Sequence, residues 1–476
     1  MFLGLDLGTS GLKAIVVDDA QQVVAQATAQ LPVSRPHSGW SEQDPASWIA
    51  AAEEAIAALP VSVRSRVQAI GLSGQMHGAT MLGADDAPLG PCILWNDTRS
   101  AAQASAMDGD PEWRKVSGNI VFPGFTAPKL AWLRETDPGT FDQVRKVLLP
   151  KDYLRLWLTG EYVGEMSDAA GTSWLDTGAR DWSDALLAKS SLSRDHMPRL
   201  VEGSEVSGHL RAELASRFGM DEVPVAGGGG DNAASAVGLG ITEPGQGFVS
   251  LGTSGVLFAA TDNFSPDAST AVHTFCHALP NAWHQMGVIL ACTDALNWAA
   301  KFVGMDAKSF TSELGALQAP GKGLFMPYLG GERTPLADAA IRGGWVGLEH
   351  QTDHAAMARA VLEGVTFALV DCRDALAATG TKIESLLAVG GGTGSDYWLK
   401  ALATALNIPL QLPASADLGG AFGAARLAMM AKSGEASIAA PPSMKLIIEP
   451  DPMLHDAFSE AHSRYRTYAK FLKDNP

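Results

Sequence analysis

Two aspartates in this chain stand beside glycine-rich turns, where a carboxylate could act on a bound phosphate. Asp6 precedes the turn Leu7–Gly11 and could hold Mg²⁺ through water, because Mg²⁺ keeps much of its hydration shell. Asp231 follows the glycine run Gly227–Gly230 and could take a proton from an attacking hydroxyl, as phosphoryl transfer requires. Asp6 could instead cap its own turn, although we favour the metal role. Asp231 could also be the N-cap of a helix, which would fix its side chain for the same chemistry.

The turn beside Asp6 occurs twice. Leu7–Gly11 recurs as Leu251–Gly255, and each copy follows a short apolar run. Such a turn presents backbone N–H groups and hydroxyls, which suit phosphate oxygens. One copy carries little information, but two copies half a chain apart predict two like-folded halves that face one polyphosphate. Ser250 stands where the first copy has Asp6, which indicates different tasks for the two halves.

Two further segments are suited to a sugar and a nucleotide. Gln75–Gly78 combines short polar groups with the apolar wall of Met76, and Trp95–Asp97 adds an aromatic ring with two polar groups. This combination is typical of sugar sites, although a lone histidine such as His77 is more often structural. Gly390–Thr393 is typical of a nucleotide contact, because glycine lets the backbone lie against a flat base. A plain glycine-rich turn is the simpler alternative.

The elements that must position these residues are predicted in the same order in both halves. The first 30 residues form a strand meander, and Gly247–Leu257 forms strand, turn and strand. Later strands, at 67–72 and 386–389, each lead into a loop. Small-residue helices at 233–238 and 419–425 permit close approach, as a hinge would require. We therefore predict two α/β domains, residues 1–243 and 244–476, the second ending in a charged helix.

Composition narrows the class of protein. The 476 residues are 46% hydrophobic and 18% charged, with a net charge of −17. Large cores are therefore expected, and nonspecific binding to nucleic acid or anionic membranes is disfavoured. Neither a signal peptide nor a membrane span is evident, so we expect a cytoplasmic protein. The widely spaced cysteines predict buried free thiols.

Three other polar features have weaker signals. The histidines and cysteine between His273 and His284 could suggest zinc, but a pair of structural strands is favoured there. Glu332–Pro335 is a polar loop without an assigned role. Lys13 could approach phosphate or lie on the surface of the second strand.

Together these residues resemble the FGGY carbohydrate kinases, a family within the actin-like ATPase superfamily. The matching segments span roughly residues 2–430 and are Gly4–Ser10, Ser73–Gly78, Leu94–Asp97, Gly124–Leu130, Leu149–Tyr153, Ser167–Thr172, Gly228–Ala233, Ser250–Gly255 and Gly331–Pro335. The resemblance implies two duplicated actin-like/ribonuclease H-like domains with ATP in the cleft between them. It is closest to members that use ATP and Mg²⁺ to phosphorylate D-xylulose at its 5-hydroxyl in pentose catabolism.

The resemblance also implies roles for single residues. Asp231 would be the proton acceptor, and Asp6 would serve the Mg·ATP end. The sugar contacts would be Met76, His77, Asp231 and Asn232, and the nucleotide contacts Thr9, Gly252, Thr253, Gly391 and Gly392.

Two alternatives stay open. A related kinase for ribulose, fuculose or arabinitol would carry the same motifs, whereas glycerol is disfavoured because the Arg-Glu pair of the family's glycerol kinases is absent near Met76. A nonenzymatic actin-like clamp would need a partner surface or a peptide-binding domain, and the sequence indicates neither. The expected partners are a sugar and ATP, with a homodimer as the candidate assembly.

Overall fold

The structure, a computed structural model, describes residues 1–415, 418–435 and 438–475. Its strands are β1 Phe2–Leu7, β2 Gly11–Val17, β3 Val23–Gln30, β4 Glu42–Gln43, β5 Ala69–Gly74, β6 Thr80–Leu82, β7 Cys92–Ile93, β8 Lys146–Leu148, β9 Val163–Glu165, β10 Leu175–Asp176, β11 Asp181–Trp182, β12 Arg199–Val201, β13 Val206–His209, β14 Pro224–Ala226, β15 Gly229–Gly230, β16 Gln246–Leu251, β17 Gly255–Thr261, β18 His273–Cys276, β19 Trp283–Ile289, β20 Leu324–Phe325, β21 Trp345–Val346, β22 Ser385–Val389, β23 Leu410–Pro413 and β24 Met444–Ile448.

The α-helices are α1 Pro45–Ala58, α2 Val61–Arg64, α3 Ala101–Asp108, α4 Pro111–Ser117, α5 Thr126–Thr136, α6 Pro138–Phe141, α7 Pro150–Thr159, α8 Met166–Ala169, α9 Asp184–Lys189, α10 Ala212–Phe218, α11 Asp231–Gly238, α12 Thr293–Phe302, α13 Ala307–Phe310, α14 His354–Ala378, α15 Asp396–Leu406, α16 Gly420–Ser433 and α17 His455–Asp474. Within the described ranges, none of these helices is both long and apolar enough to cross a membrane.

Two mixed sheets form the centre of the molecule. In the first, the strand order is β13-β14-β5-β1-β2-β3, and in the second it is β18-β19-β17-β16-β22-β23-β24. Each sheet contains an antiparallel meander whose first strand, β1 or β16, also pairs in parallel with a later strand, β5 or β22. The prediction of two like-folded halves is therefore confirmed, as is the closing helix, α17.

Helix α16 belongs to the second half of the chain but packs on the sheet of the first half. Glycines make the contact possible, because a Cβ at Gly4 would lie 1.9 Å from the carbonyl oxygen of Ala421. A Cβ at Gly423 would likewise lie 1.7 Å from the carbonyl oxygen of Ala234 in α11. The predicted close approach of the two small-residue helices is confirmed, and α16 joins the halves.

Candidate active site

Asp231 lies at the start of α11, and its N-cap residue is Gly230. The suggestion that Asp231 is itself the N-cap is therefore wrong by one position. Its Oδ1 atom accepts hydrogen bonds from the backbone N–H (2.7 Å) and the side-chain amide (2.9 Å) of Asn232. Burial, with a smaller contribution from the charge of Asp6, raises the pKa of Asp231 to about 6, although the Asn232 bonds oppose the rise. Such a carboxylate is ionised at neutral pH and basic enough to accept a proton.

Asp6 lies near the end of β1 and accepts a hydrogen bond from the Ser73 hydroxyl at 2.8 Å. Its partner across the hairpin is Lys13. The structure thus places Lys13 on the second strand beside Asp6, half-buried, and its approach to phosphate stays a prediction. Burial raises the pKa of Asp6, while the Ser73 bond and the Lys13 charge oppose the rise.

The surroundings of Asp6 fit a magnesium ion held mainly by phosphate and water. The charge of Asp6 lies close enough to Asp231 to raise the pKa of that residue, and one or two carboxylates are the usual protein contribution to such a site. Gly420, the first residue of α16, packs against Asp6, since a Cβ there would lie 2.9 Å from its carboxylate. Asp6 could therefore hold hydrated Mg²⁺ beside the phosphates.

The imidazole ring of His77 is oriented by a hydrogen bond to Gly171 and by stacking on Phe125. Its Nδ1 atom lies 2.7 Å from the carbonyl oxygen of Gly171. Because a carbonyl only accepts, Nδ1 carries the proton and Nε2 is left as an acceptor for a ligand hydroxyl. Burial, aided by the charges of Lys129 and Arg333, lowers the pKa of His77 to about 3, against the Gly171 bond. The neutral ring stacks on Phe125, with 4.5 Å between centroids.

Residues without a predicted role hold His77 in place. His77 has a backbone φ of 69°. Its carbonyl oxygen accepts hydrogen bonds from Lys129 Nζ (2.7 Å) and Thr126 Oγ1 (3.1 Å). A Cβ at Gly171 would lie 2.4 Å from the imidazole ring, so only glycine fits behind it. The matching segments Gly124–Leu130 and Ser167–Thr172 contained these residues, but nothing local in the sequence indicated their contacts.

A buried polar network fixes the loop before Asp231. The Arg155 guanidinium, fully buried on α7, donates to the carbonyl oxygens of Ala226 (2.6 Å) and Gly227 (2.5 Å). The Ser167 hydroxyl accepts a hydrogen bond from the Gly230 N–H at 3.0 Å and donates to Glu165 at 2.8 Å. The loop is thereby held from two sides, a contribution that the sequence did not reveal.

Thr9 lies in the first glycine turn and belongs to a network within the first half. Its hydroxyl donates to Gln75 Oε1 at 2.9 Å and accepts from Trp95 Nε1 at 3.0 Å. Its carbonyl oxygen accepts from Gln43 Nε2 at 2.7 Å. The turn is therefore tied to both predicted sugar segments.

The predicted nucleotide residues of the second half lie on two adjacent strand ends. Gly252 and Thr253 follow β16, while Gly391 and Gly392 follow β22, which pairs with β16 in parallel. Thr253 and Gly391 are exposed, and no atom would lie within 4 Å of a Cβ at Gly391. The structure thus brings these four together at the carboxyl ends of two neighbouring strands, where Thr253 and Gly391 are exposed and Gly392 is buried.

Comparisons with known proteins identify relatives over the whole chain. Residues 1–238 match the N-terminal domain, and residues 247–432 the C-terminal domain, of the FGGY family of carbohydrate kinases. A xylulose kinase of Escherichia coli is 48% identical over 92% of this chain and 91% of its own, and one of Klebsiella pneumoniae is 48% identical over 92% and 91%. A crystal structure described as a xyloylose kinase from Brucella ovis superimposes with a TM-score of 0.99 at 57% identity, covering 100% of both chains.

Proposed function

The chain belongs to the FGGY family of carbohydrate kinases, and we propose that it transfers the γ-phosphoryl group of ATP to the 5-hydroxyl of D-xylulose. The xylulose kinases that it resembles over nearly its full length support the substrate. The observation that carries the chemistry is the buried Asp231 carboxylate, whose pKa is raised to about 6, which feels the charge of Asp6 and which follows Gly230, where Met76 packs.

The residues present supply the steps that this reaction needs. His77 Nε2 accepts a hydrogen bond from a sugar hydroxyl. Met76 forms an apolar wall that reaches Gly230, where a Cβ would lie 2.9 Å from Met76 Cγ. Asp231 takes the proton of the 5-hydroxyl as its oxygen attacks the γ-phosphorus, and ADP leaves. Mg²⁺, when bound, neutralises charge on the β- and γ-phosphates, and Asp6 would hold it through water.

We further propose that Asn232 joins Asp231 at the sugar. The residues that contact the nucleotide are Thr9, Gly252, Thr253, Gly391 and Gly392. The catalytic cleft lies between units 1–243 and 244–476, and closure around both substrates excludes water. A homodimer and a cytoplasmic location stay predictions.

A coupled ADP-release assay over a panel of ketoses, alditols and aldoses tests this function. We expect the highest kcat/KM with D-xylulose and far slower ATP hydrolysis without sugar. A higher kcat/KM with ribulose, fuculose or arabinitol would replace the substrate, and equally fast hydrolysis without sugar would contradict a sugar kinase.

A further inference from the structure

The polar loop Glu332–Pro335 is fastened to the second sheet in a way that fixes one side chain. The Glu332 carboxylate accepts hydrogen bonds from the backbone N–H groups of Leu290 (2.9 Å) and Arg333 (2.8 Å). The Thr334 hydroxyl accepts from the Val288 N–H at 3.1 Å and donates to the Ala271 carbonyl at 3.0 Å. These contacts set where the Arg333 side chain begins.

The Arg333 guanidinium has few partners for its five N–H donors. Its Nη1 atom lies 3.4 Å from His273 Nε2, and the group lies over the Phe122 ring at 4.9 Å. No ion pair joins it to a carboxylate anywhere in the described ranges. The side chain is half-buried, so its remaining donors stay open to a ligand that accepts hydrogen bonds.

Arg333 lies at the end of the sugar site away from Asp231. Phe122 contacts Phe125, with 5.6 Å between centroids, and Phe125 stacks on His77 at 4.5 Å. The charge of Arg333 reaches His77, whereas the charge that acts on Asp231 is that of Asp6.

Met76 connects the two ends, since its side chain contacts both the Gly171 and the Gly230 backbone positions. The groups thus follow one another from Asp6 and Asp231, past Met76 and His77, to Arg333.

We propose that Arg333, contributed by the second half of the chain, is a specificity residue that donates hydrogen bonds to the oxygens at the C1–C2 end of the ketose. This inference rests on the proposed function, because it takes the 5-hydroxyl to lie at Asp231. The planar guanidinium can reach two neighbouring acceptors at once, here the C2 carbonyl and the C1 hydroxyl. The sugar would therefore contact His77 and Asp231 of the first half and Arg333 of the second.

A cycle of one substitution and one substrate change tests this contact. The kcat/KM of the wild type and of Arg333→Ala is measured with D-xylulose and with 1-deoxy-D-xylulose, which lacks the C1 hydroxyl. We expect Arg333→Ala to lower kcat/KM for D-xylulose about 10- to 100-fold. Loss of the C1 hydroxyl should cost the wild type severalfold but the variant less than about twofold, because the shared contact is already gone.

Two further variants keep the result interpretable. Arg333→Lys keeps the charge but not the planar fork, so it should show the same reduced sensitivity to the C1 hydroxyl even if the alanine variant does not fold. Arg342→Ala removes an exposed arginine near the same loop and should behave as the wild type. If the two losses multiply independently in both Arg333 variants, Arg333 does not contact this end. If the wild type does not phosphorylate D-xylulose, the proposed function fails instead.

Discussion

The two copies of Leu-Gly-Thr-Ser-Gly share five residues but form different hairpins. In the first, Leu7 pairs with Leu12, which leaves Gly8–Gly11 in the turn, whereas in the second Leu251 pairs directly with Gly255. The first turn is bound to Gln75, Trp95 and Gln43 through Thr9. Among the described residues, the second turn is bound only through its backbone, since the carbonyl oxygens of Gly252 and Thr253 accept hydrogen bonds from the start of α12, and Thr253 is exposed.

The glycine runs that follow later strands differ in the same direction. Gly227–Gly230 is buried throughout, while most of Gly390–Gly394 is exposed or half-buried. The local sequence is thus compatible with either state, and the surrounding structure decides which forms. The first turn and its buried glycine run lie beside Asp6 and Asp231, to which we assign the chemistry, whereas the second turn and its more exposed run are the ones that we assign to the nucleotide.

The largest effect should come from Asp231→Asn, which removes the carboxylate that we propose as the general base of the first half. An amide cannot accept the proton, so kcat should fall about 10²- to 10⁴-fold. The circular dichroism spectrum should be retained and Tm should not fall, because the substitution removes a buried charge. Steady-state kinetics with D-xylulose measure the loss. The control is Asp262→Asn, at an exposed aspartate of the second half, and near-normal turnover of the Asp231 variant would remove this residue from the base role.

The dependence of kcat/KM on pH should be set by a residue of the first half, Asp231. Asp231 acts in its ionised form and has a pKa of about 6, so kcat/KM should be level above that pH and fall about tenfold per pH unit below it. Thr253→Ala, in the second half, should keep the same acid limb. A profile that stays flat down to pH 5 would contradict the raised pKa or the role of Asp231 as base.

Substituting alanine for one glycine of each run should affect stability in the buried run but not in the exposed run. A Cβ at Gly230 would lie 2.9 Å from Met76 Cγ, whereas at Gly391 nothing lies within 4 Å. Gly230→Ala should cost about 1–3 kcal/mol of unfolding free energy and raise the KM for sugar. Gly391→Ala should leave stability unchanged and affect only the KM for ATP. Thermal unfolding and KM values for both substrates test this, and equal Tm losses would refute it.

The smallest effect compares the two threonines. Thr9→Ala removes two side-chain hydrogen bonds and should lower the unfolding free energy by about 1 kcal/mol. Thr253→Ala should leave it unchanged and raise the KM for ATP. Denaturant titrations measure the stabilities, and a similar loss in both variants would mean that the turns are equally embedded.

Local patterns were enough to predict the duplicated meanders, α17 and the residues at the strand ends. Asp231 and His77 were proposed as site residues because glycines flank them. The position of Lys13 beside Asp6 needed the strand register, and the supports from Arg155 and Ser167 needed contacts between residues far apart in the chain. Such contacts leave no local period or spacing in a single sequence, so the network that holds the loop before Asp231 could not be predicted.

The packing of α16 on β1 and β5 has a consequence for how the protein is made. The face of the first sheet at Gly4 and Gly71 is covered by residues after Gly420, which leave the ribosome only after all of residues 1–420. The sheet of the N-terminal unit therefore stays uncovered on this face while the residues between that unit and α16 are translated. Its folding is completed by the C-terminal part, so gene truncations before this helix should yield aggregation-prone fragments rather than a working half.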